Sequence, residues 1–335
     1  MIAIFVAFTL IFTIPRLMPI SPVDVMISRI LGPESSQLGG QRGYSGGGAQ
    51  MSLEDIRKLY MGIFGLDQPV TTQYLLFWKR IMTLDFGLSF WAFPHSVREI
   101  VSYALPWTLV LVLPTIPIAF FIGNSIGSRA AFYRSKFDNL LFYVAQYMWH
   151  SPYFWFGLIL VTVFSVELGW FPISGAYSRN WLMPVLSIGW LLDAVWHWVL
   201  PFLSLICVGI GGWAVSMRSL VIYEMESNYV EYAEQLGFSK KKLRNYVMKN
   251  SILPNFTWIP VVISSLISQT LLVEVIFGYP GLGTLAYNAV FSQDYPLIEA
   301  ILVLCTLIVL IGNFICDIMY GIFDPRIGSS YVGGK

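Results

Sequence analysis

The chain has 335 residues, of which 56% are hydrophobic and 12% are charged, and its mean hydropathy is +0.66. That is more apolar surface than the core of a soluble protein of this length can bury, so the composition places the chain in a lipid bilayer. The net charge of +1 gives no indication of a nucleic-acid partner, and none is expected. The cysteines Cys207, Cys305 and Cys316 lie in apolar segments without metal-ligand spacing, so we predict packing roles and no metal site.

Six apolar runs are candidates for membrane-spanning helices, since about 20 residues cross roughly 30 Å of hydrocarbon. The first has neither a basic leader nor a small-residue cleavage site and is interpreted as an uncleaved anchor. A further run, Trp181 to Leu192, is short and contains Pro184, so we interpret it as a helix that lies at the membrane interface. The sequence therefore predicts an all-α polytopic membrane protein, with spans at 2–18, 104–127, 138–165, 200–223, 253–277 and 297–321.

Lysine and arginine in the short loops predict the orientation, because basic loops stay preferentially in the cytoplasm. Loop 166–199 contains only Arg179 and loop 278–296 contains neither residue type. We therefore expect a multi-pass protein of the inner membrane with both termini cytoplasmic and residues 19–103 outside. The basic residues of the loops predicted to be cytoplasmic are Arg129, Arg134, Lys136, Lys240, Lys241, Lys242, Arg244 and Lys249.

Residues 19–103 are predicted to form an extracytoplasmic lobe with a flexible insert. The insert is the glycine-rich LGGQRGYSGGGAQ, in which regular structure is not expected. Ser52 is the expected N-cap of a helix over SLEDIRKLYMGIF, and a second amphipathic helix is expected over TQYLLFWKRIMTL. The string LGGQ is similar to a signature of ATP-binding cassettes, but the sequence contains no GxxxxGK[ST] phosphate loop. The chain is therefore expected to bind no ATP itself.

The stretch from Tyr229 to Pro254 interrupts the apolar pattern with an acidic helix, a glycine and a group of lysines. We predict two short helices that meet at Gly237, a residue type that tolerates positive φ. The small Ala233 would allow a partner to approach closely. Pro254 is expected to begin the next span, where its missing N–H costs little. Taken alone, this pattern also fits an ordinary solvated loop.

Five segments together resemble one family of transporters. Glu231-Tyr232-Ala233-x-x-x-Gly237, followed by Ile252-Leu253-Pro254, resembles the Glu-Ala-Ala loop of ABC importer membrane subunits, with Tyr232 in place of the first alanine. Over about residues 10–328 the chain is similar to the first, B-type, permease subunit of the dipeptide and oligopeptide importers. The other four segments are LDQPVTTQYLLFWKRIMTLDFGLSF at 66–90, GWFPISG at 169–175, VIFGYPGLGTLAYNAVFSQDYP at 275–296 and DIMYGIFDPRIG at 317–328.

The resemblance implies a type I ABC permease fold with a five-helix core at 104–328, a cytoplasmic coupling loop at 224–252 and a tail at 329–335. It implies that Glu231, Tyr232, Ala233 and Gly237 couple the chain to an ATPase subunit. The implied partners are a second homologous permease subunit, two ABC ATPase subunits that bind ATP and Mg, an extracytoplasmic solute-binding protein, and membrane lipid. The chain itself is expected to be no enzyme, to bind no cofactor, and to form a path for short peptides.

Two alternatives remain open at this stage. Oligosaccharides are a second cargo class, because the aromatic faces of Trp181, Trp190, Trp196 and Trp198 could stack on sugar rings, although an interfacial belt explains them as well. A proton-coupled secondary transporter is a more distant alternative. Polar residues within spans are expensive and usually face protein or a water-filled path. On that ground we predict path residues at Glu274, Gln269, Asn124 and Gln146, with a structural hydrogen bond as the other interpretation of Glu274.

Overall fold

A computed structural model describes residues 2–17, 22–31, 53–178 and 187–323. Within those ranges the regular structure is helical and contains no β-strand, which confirms the all-α prediction. The helices are α1 (Ile2–Arg16), α2 (Pro22–Leu31), α3 (Leu53–Phe64), α4 (Val70–Thr83), α5 (Val97–Tyr133), α6 (Lys136–His150), α7 (Tyr153–Leu160) with a π-helical continuation (Val161–Glu167), α8 (Ile188–Glu224), α9 (Asn228–Gln235), α10 (Lys240–Ile276), α11 (Leu282–Phe291) and α12 (Tyr295–Phe323).

The long apolar helices agree with the predicted spans. In the described part of the chain, α5, α8, α10 and α12 are each long and apolar enough to cross a membrane. A fifth candidate is the bent pair formed by α6 and α7 with its π-helical end, and α1 is a shorter apolar helix. Each of the six predicted runs thus corresponds to a helix or to this bent pair.

The third predicted run, 138–165, is bent by 107° between α6 and α7. Ser151 is extended, with φ −82° and ψ 130°, and Pro152 follows it. Proline disfavours the helical conformation of the residue before it, so α6 ends at His150 and a new helix begins after Pro152. The Ser151 hydroxyl donates to the Tyr147 carbonyl at 2.9 Å and stabilises the end of α6.

Two sequence predictions about helix boundaries are wrong. Residues 188–192 are not a separate interfacial helix but the first turns of α8, because the Ser187 hydroxyl caps this helix at the Trp190 N–H, 3.2 Å away; residues 181–186 of that run lie outside the described part. Pro254 does not lie in the first turn of a helix but inside α10, whose N-cap is Ser239. A proline inside a helix leaves the carbonyl four residues before it without a main-chain donor, here that of Asn250, and membrane helices tolerate this where the surrounding protein compensates.

The chain divides into two compact units, one of residues 1–106 and 284–307 and the other of residues 107–283 and 308–335. In the first unit, α1 packs on α4 through aromatic rings, and Phe5 stacks on Trp78 at 5.5 Å between ring centroids. Arg16 forms an ion pair with the buried Glu299 of α12. The predicted helices of the outer region appear as α3 and α4, whereas Ser52, the glycine-rich insert and the tail 329–335 lie outside the described residues.

Asp294 connects the start of α12 to the segment after α4 within the same unit. One carboxylate oxygen accepts from the Leu297 N–H at 3.1 Å, and the other accepts from the Trp91 N–H at 2.9 Å and from the Ser89 hydroxyl. Burial raises the pKa of the Asp294 carboxyl above its ordinary value, and these hydrogen bonds oppose that shift. The carboxylate therefore caps α12 and holds residues 89–91 against it.

Small residues allow the helices of the second unit to pack closely. A Cβ added at Gly127 of α5 would lie 2.2 Å from the Ala214 carbonyl oxygen of α8, and one at Gly211 would lie 2.4 Å from the Ala145 carbonyl oxygen of α6. Larger side chains at these positions would push the helices apart. Close backbone approach through glycine is typical of helix packing in membranes, and it holds α8 against both α5 and α6.

Candidate functional site

The predicted coupling loop contains one short helix, α9, between α8 and α10. Ser227 precedes α9 in an extended conformation, and its hydroxyl donates to the Glu224 carbonyl at 2.6 Å. The preceding helix therefore ends in a tight turn that leads directly into α9. The second helix after Gly237 is not short as predicted, because it is α10 and continues for 37 residues into the membrane.

Gly237 terminates α9 in the conformation that the sequence predicted. Its φ is +76°, its N–H donates to the Glu234 carbonyl at 2.9 Å, and the Phe238 N–H donates to the Ala233 carbonyl at 3.2 Å. This pair of bonds is the Schellman arrangement, which satisfies two carbonyls at the end of a helix. A Cβ at Gly237 would meet no atom within 4 Å, so positive φ alone explains the glycine here.

The inner face of α9 rests on a buried apolar cluster contributed by α5, α8, α9 and α10. Val230 is buried in this cluster, and Tyr229 and Ala233 are partly buried against it. The Ala233 side chain thus contacts its own chain, and the predicted contact of Ala233 with an ATPase stays a prediction. Because a close-packed core transmits displacement, movement of α9 would be shared by all three long helices. The cluster consists of Ala131, Met217, Val221, Val230, Leu243 and Val247.

The outer face of α9 is polar except for one aromatic ring. Glu231 and Glu234 are exposed, and Glu231 accepts a hydrogen bond from Gln235 at 3.4 Å. The Tyr232 side chain is also exposed, at 63%. An exposed tyrosine with an apolar body and a polar tip is enriched at protein interfaces, so this face presents the features of a docking surface.

The second unit also contains a cavity of about 640 Å³ between α6, α7, α8 and α10. Trp149 at the end of α6 and Tyr153 at the start of α7 line it, so it opens beside the 107° bend. Trp258 lines it from α10. The Trp149 indole lies directly against Gly212, where an added Cβ would be 3.0 Å from the ring. Its polar lining consists of the hydroxyls of Tyr153, Ser216, Ser219 and Ser265 and the indole N–H groups.

Asn124, one of the predicted path residues, is fully buried and joins three helices. Its amide nitrogen donates to the Phe120 carbonyl at 2.7 Å, and its amide oxygen accepts from Asn255 of α10 at 2.5 Å. Asn255 in turn accepts from the Ser216 hydroxyl at 2.6 Å. Ser216 also lines the cavity, so this network connects the cavity wall to α5 and α10. Sequence analysis missed Asn255, although an amide directly after Pro254 in an apolar run was a visible signal.

Glu274 is also fully buried, where it accepts a hydrogen bond from the Gly283 N–H in the first turn of α11. A Cβ at Gly281 would lie 2.3 Å from this carboxyl group, and the neighbouring Leu282 N–H donates to the Thr108 hydroxyl at 2.8 Å. A carboxylate at a helix N-terminus satisfies free N–H groups and the helix dipole. The geometry supports the structural interpretation of Glu274, as an N-terminal cap of α11.

The remaining path predictions are not brought together by the fold. Gln146 is exposed on α6 and Gln269 is half-buried on α10, and neither lines the cavity. The path assignment of these residues stays a prediction. The fold instead brings together Trp149, Trp258 and the serine hydroxyls, which sequence analysis did not select because a single tryptophan or serine in an apolar helix carries no distinguishing pattern.

Comparison with known proteins connects this geometry to a family. Residues 123–329 match the model of the binding-protein-dependent transport system inner membrane component. The chain belongs to this family. The matched region includes α9, the cavity and the Asn124 network, and it identifies the chain as a multi-pass permease subunit of an ABC importer that works with other components of such a system.

Curated relatives of this permease subunit match over most of their length. The chain is 34% identical over 273 residues to the oligopeptide transport system permease protein AppB of Bacillus subtilis (strain 168), a match that covers 81% of the chain and 84% of the relative. It is 31% identical over 331 residues to the di/tripeptide transport system permease protein DppB of Pseudomonas aeruginosa (strain UCBPP-PA14), covering 94% and 92%. It is 28% identical to the oligopeptide transport system permease protein OppB of Haemophilus influenzae (strain ATCC 51907 / DSM 11121 / KW20 / Rd), covering 79% and 82%.

Proposed function

We propose that this permease subunit forms one side of a path for short peptides across the inner membrane, with both of its termini cytoplasmic. Its proposed partners are a second homologous permease subunit, two ABC ATPase subunits and an extracytoplasmic solute-binding protein. ATP and Mg bind to the ATPase subunits, and this chain contributes no covalent chemistry. The observation that carries the proposal is the arrangement of α9, a short helix whose inner face packs on a buried apolar cluster and whose outer face is exposed.

The proposed mechanism is mechanical coupling. An ATPase subunit contacts the exposed face of α9 through Tyr232 and Glu231, and its closure displaces α9. The inner face of α9 packs on α5, α8 and α10, so these helices move with it as a body. Gly237 holds the turn between α9 and α10 in one conformation, so that a displacement of α9 is transmitted to α10.

Peptides are favoured over oligosaccharides as cargo. The relatives named above are peptide permeases by name. The described tryptophans proposed for sugar stacking already pack on other rings of this chain. Trp196 stacks on Phe171 at 4.5 Å and Trp198 stacks on Phe202 at 4.0 Å, whereas Trp181 lies outside the described residues.

The coupling proposal is tested by placing a charge on the exposed face of α9. Tyr232→Asp removes the aromatic body and adds a carboxylate, so at least a tenfold loss of ATPase affinity is expected, equivalent to about 1.4 kcal/mol. All subunits are coexpressed, the amount of permease in the membrane is matched, and copurifying ATPase and peptide uptake are measured. Tyr287→Asp is the control, because it makes the same change at an exposed tyrosine of α11. Normal ATPase retention together with wild-type uptake in Tyr232→Asp would contradict the proposal.

A further inference from the structure

The cavity beside the α6–α7 bend differs from an ordinary groove between membrane helices. At about 640 Å³ it lies in the size range of small-molecule sites, which are mostly apolar with a few polar groups. Its walls contain the indoles of Trp149 and Trp258 and several hydroxyls, and none of the lining residues is an acid, lysine or arginine. A peptide side chain that enters it would therefore meet aromatic faces and neutral hydrogen-bonding groups.

The cavity is kept open by features of the backbone. Gly212 allows the Trp149 indole to approach α8 closely, since a Cβ there would be 3.0 Å from the ring and would displace it. The chain bends at Ser151 and Pro152, between the lining residues Trp149 and Tyr153, so α7 turns away from the axis of α6 beside the cavity. In a membrane protein, a broken helix is tolerated where it is buried in protein or lines a cavity.

We propose that this cavity binds an apolar or aromatic side chain of the transported peptide, and that Trp149 and Trp258 are specificity-determining residues of the permease subunit. The inference rests on the proposed peptide path and adds a second point of selection after the solute-binding protein. Stacking on an indole favours an aromatic ring, whereas an ionised side chain would find no counter-charge among the lining residues.

The hydroxyl groups favour a peptide over a lipid chain as the occupant. Ser216, Ser219 and Ser265 line the cavity from two helices. The Ser216 and Ser219 hydroxyls already donate, to Asn255 and to the Val215 carbonyl, but their oxygens can still accept. A peptide N–H can donate to them, whereas a hydrocarbon chain cannot. Ser216 also donates to Asn255, and so a ligand that competes for this hydroxyl would alter the contact between α8 and α10.

The test measures selectivity, not total activity. The complete importer is reconstituted in proteoliposomes, and the initial uptake rates of Ala-Phe and Ala-Ala are measured with the binding protein saturated by each peptide. Trp258→Ala and Trp149→Ala are each expected to lower the ratio of the Ala-Phe rate to the Ala-Ala rate by roughly three- to tenfold. Trp155→Ala is the matched control, because Trp155 is a partly exposed tryptophan of α7 that does not line the cavity.

A second measurement reports occupancy directly. In a background without the native cysteines, Ser265→Cys is labelled with a maleimide in the assembled importer. Ala-Phe, delivered by its binding protein, is expected to slow the labelling several-fold, whereas Ala-Ala is expected to have a smaller effect. Labelling that is equally slow with and without either peptide would mean that a partner subunit or lipid fills the cavity, and it would overturn the inference.

The two proposals fail in different ways. If the wild-type importer takes up both peptides with ATP hydrolysis but the tryptophan variants leave the rate ratio unchanged, the cavity assignment is wrong and the peptide path stands. If the wild-type importer takes up neither peptide, the proposed function fails, and the cavity assignment fails with it.

Discussion

Substitutions of the buried Glu274 can decide whether its carboxyl group stabilises the fold or takes part in transport. Its contact with the Gly283 N–H predicts that Glu274→Ala destabilises the importer by about 1–3 kcal/mol, the cost of leaving a buried donor without a partner. Glu274→Gln retains an acceptor oxygen and should be less destabilising. The melting temperature of the purified complex in detergent measures both effects. A Glu274→Gln variant with wild-type melting but selective loss of uptake for cationic peptides would instead place this residue on the path.

Arg16 and Glu299 form a second residue-scale test, one that sequence analysis did not anticipate. Glu299 is 1% exposed, so Arg16→Ala leaves a buried carboxylate without its partner and is expected to cost about 3–5 kcal/mol. The double variant Arg16→Ala with Glu299→Gln removes both charges and should recover much of the stability. A double-mutant cycle on thermal unfolding measures the coupling. Equal melting temperatures for the Arg16→Ala variant and the wild type would show that this ion pair does not stabilise the fold.

At the scale of elements, the turn after α9 provides a test of geometry. Space is available around Gly237, and only its φ of +76° restricts the residue type. A substitution should therefore be tolerated according to how readily the new residue adopts a left-handed conformation, and not according to the size of its side chain. Gly237→Asn is therefore expected to retain most uptake, and Gly237→Val to lose it, through a conformational cost of about 1–2 kcal/mol at the coupling turn. Uptake per assembled importer is measured for both. Similar uptake in the two variants would argue against a rigid coupling turn.

The elements also show what sequence could and could not predict. Each apolar run located one helix or the bent pair, but α8 begins 12 residues before the predicted run at 200 and α10 begins 13 residues before the run at 253. Gly237 was predicted as a left-handed turn because few other residues fit there. Pro254 misled the prediction, since the cost of an internal proline depends on its tertiary surroundings, which no local pattern shows. Four helices form the cavity and three helices carry the Asn124–Asn255–Ser216 network, so both are tertiary features that no local pattern encodes.

At the scale of the whole molecule, the loop charges predict the orientation in the membrane. In a cysteine-free background, Gln68→Cys in the outer region is expected to react with an impermeant maleimide in intact cells, whereas Lys241→Cys at the start of α10 should react only after permeabilisation. Both native side chains are exposed, so burial does not confound the result. Labelling of Lys241→Cys in sealed cells would reverse the orientation. Thr83→Cys provides a second exposed position on the outer side.

Pro254 and Pro260 lie inside α10 and divide this helix into segments that can bend relative to one another. Each proline removes one main-chain hydrogen bond, so resistance to bending is lowest near Pro254 and Pro260. About 14 residues separate Pro254 from the N-terminal end of α10, a length of roughly 20 Å at 1.5 Å per residue. A bend of about 10° at Pro254 would swing that end, and the α9 turn attached to it, by about 4 Å. Pro254 lies about one helical turn before Trp258 of the cavity wall, so a bend at this proline is expected to couple a displacement of the α9 turn to the width of the cavity.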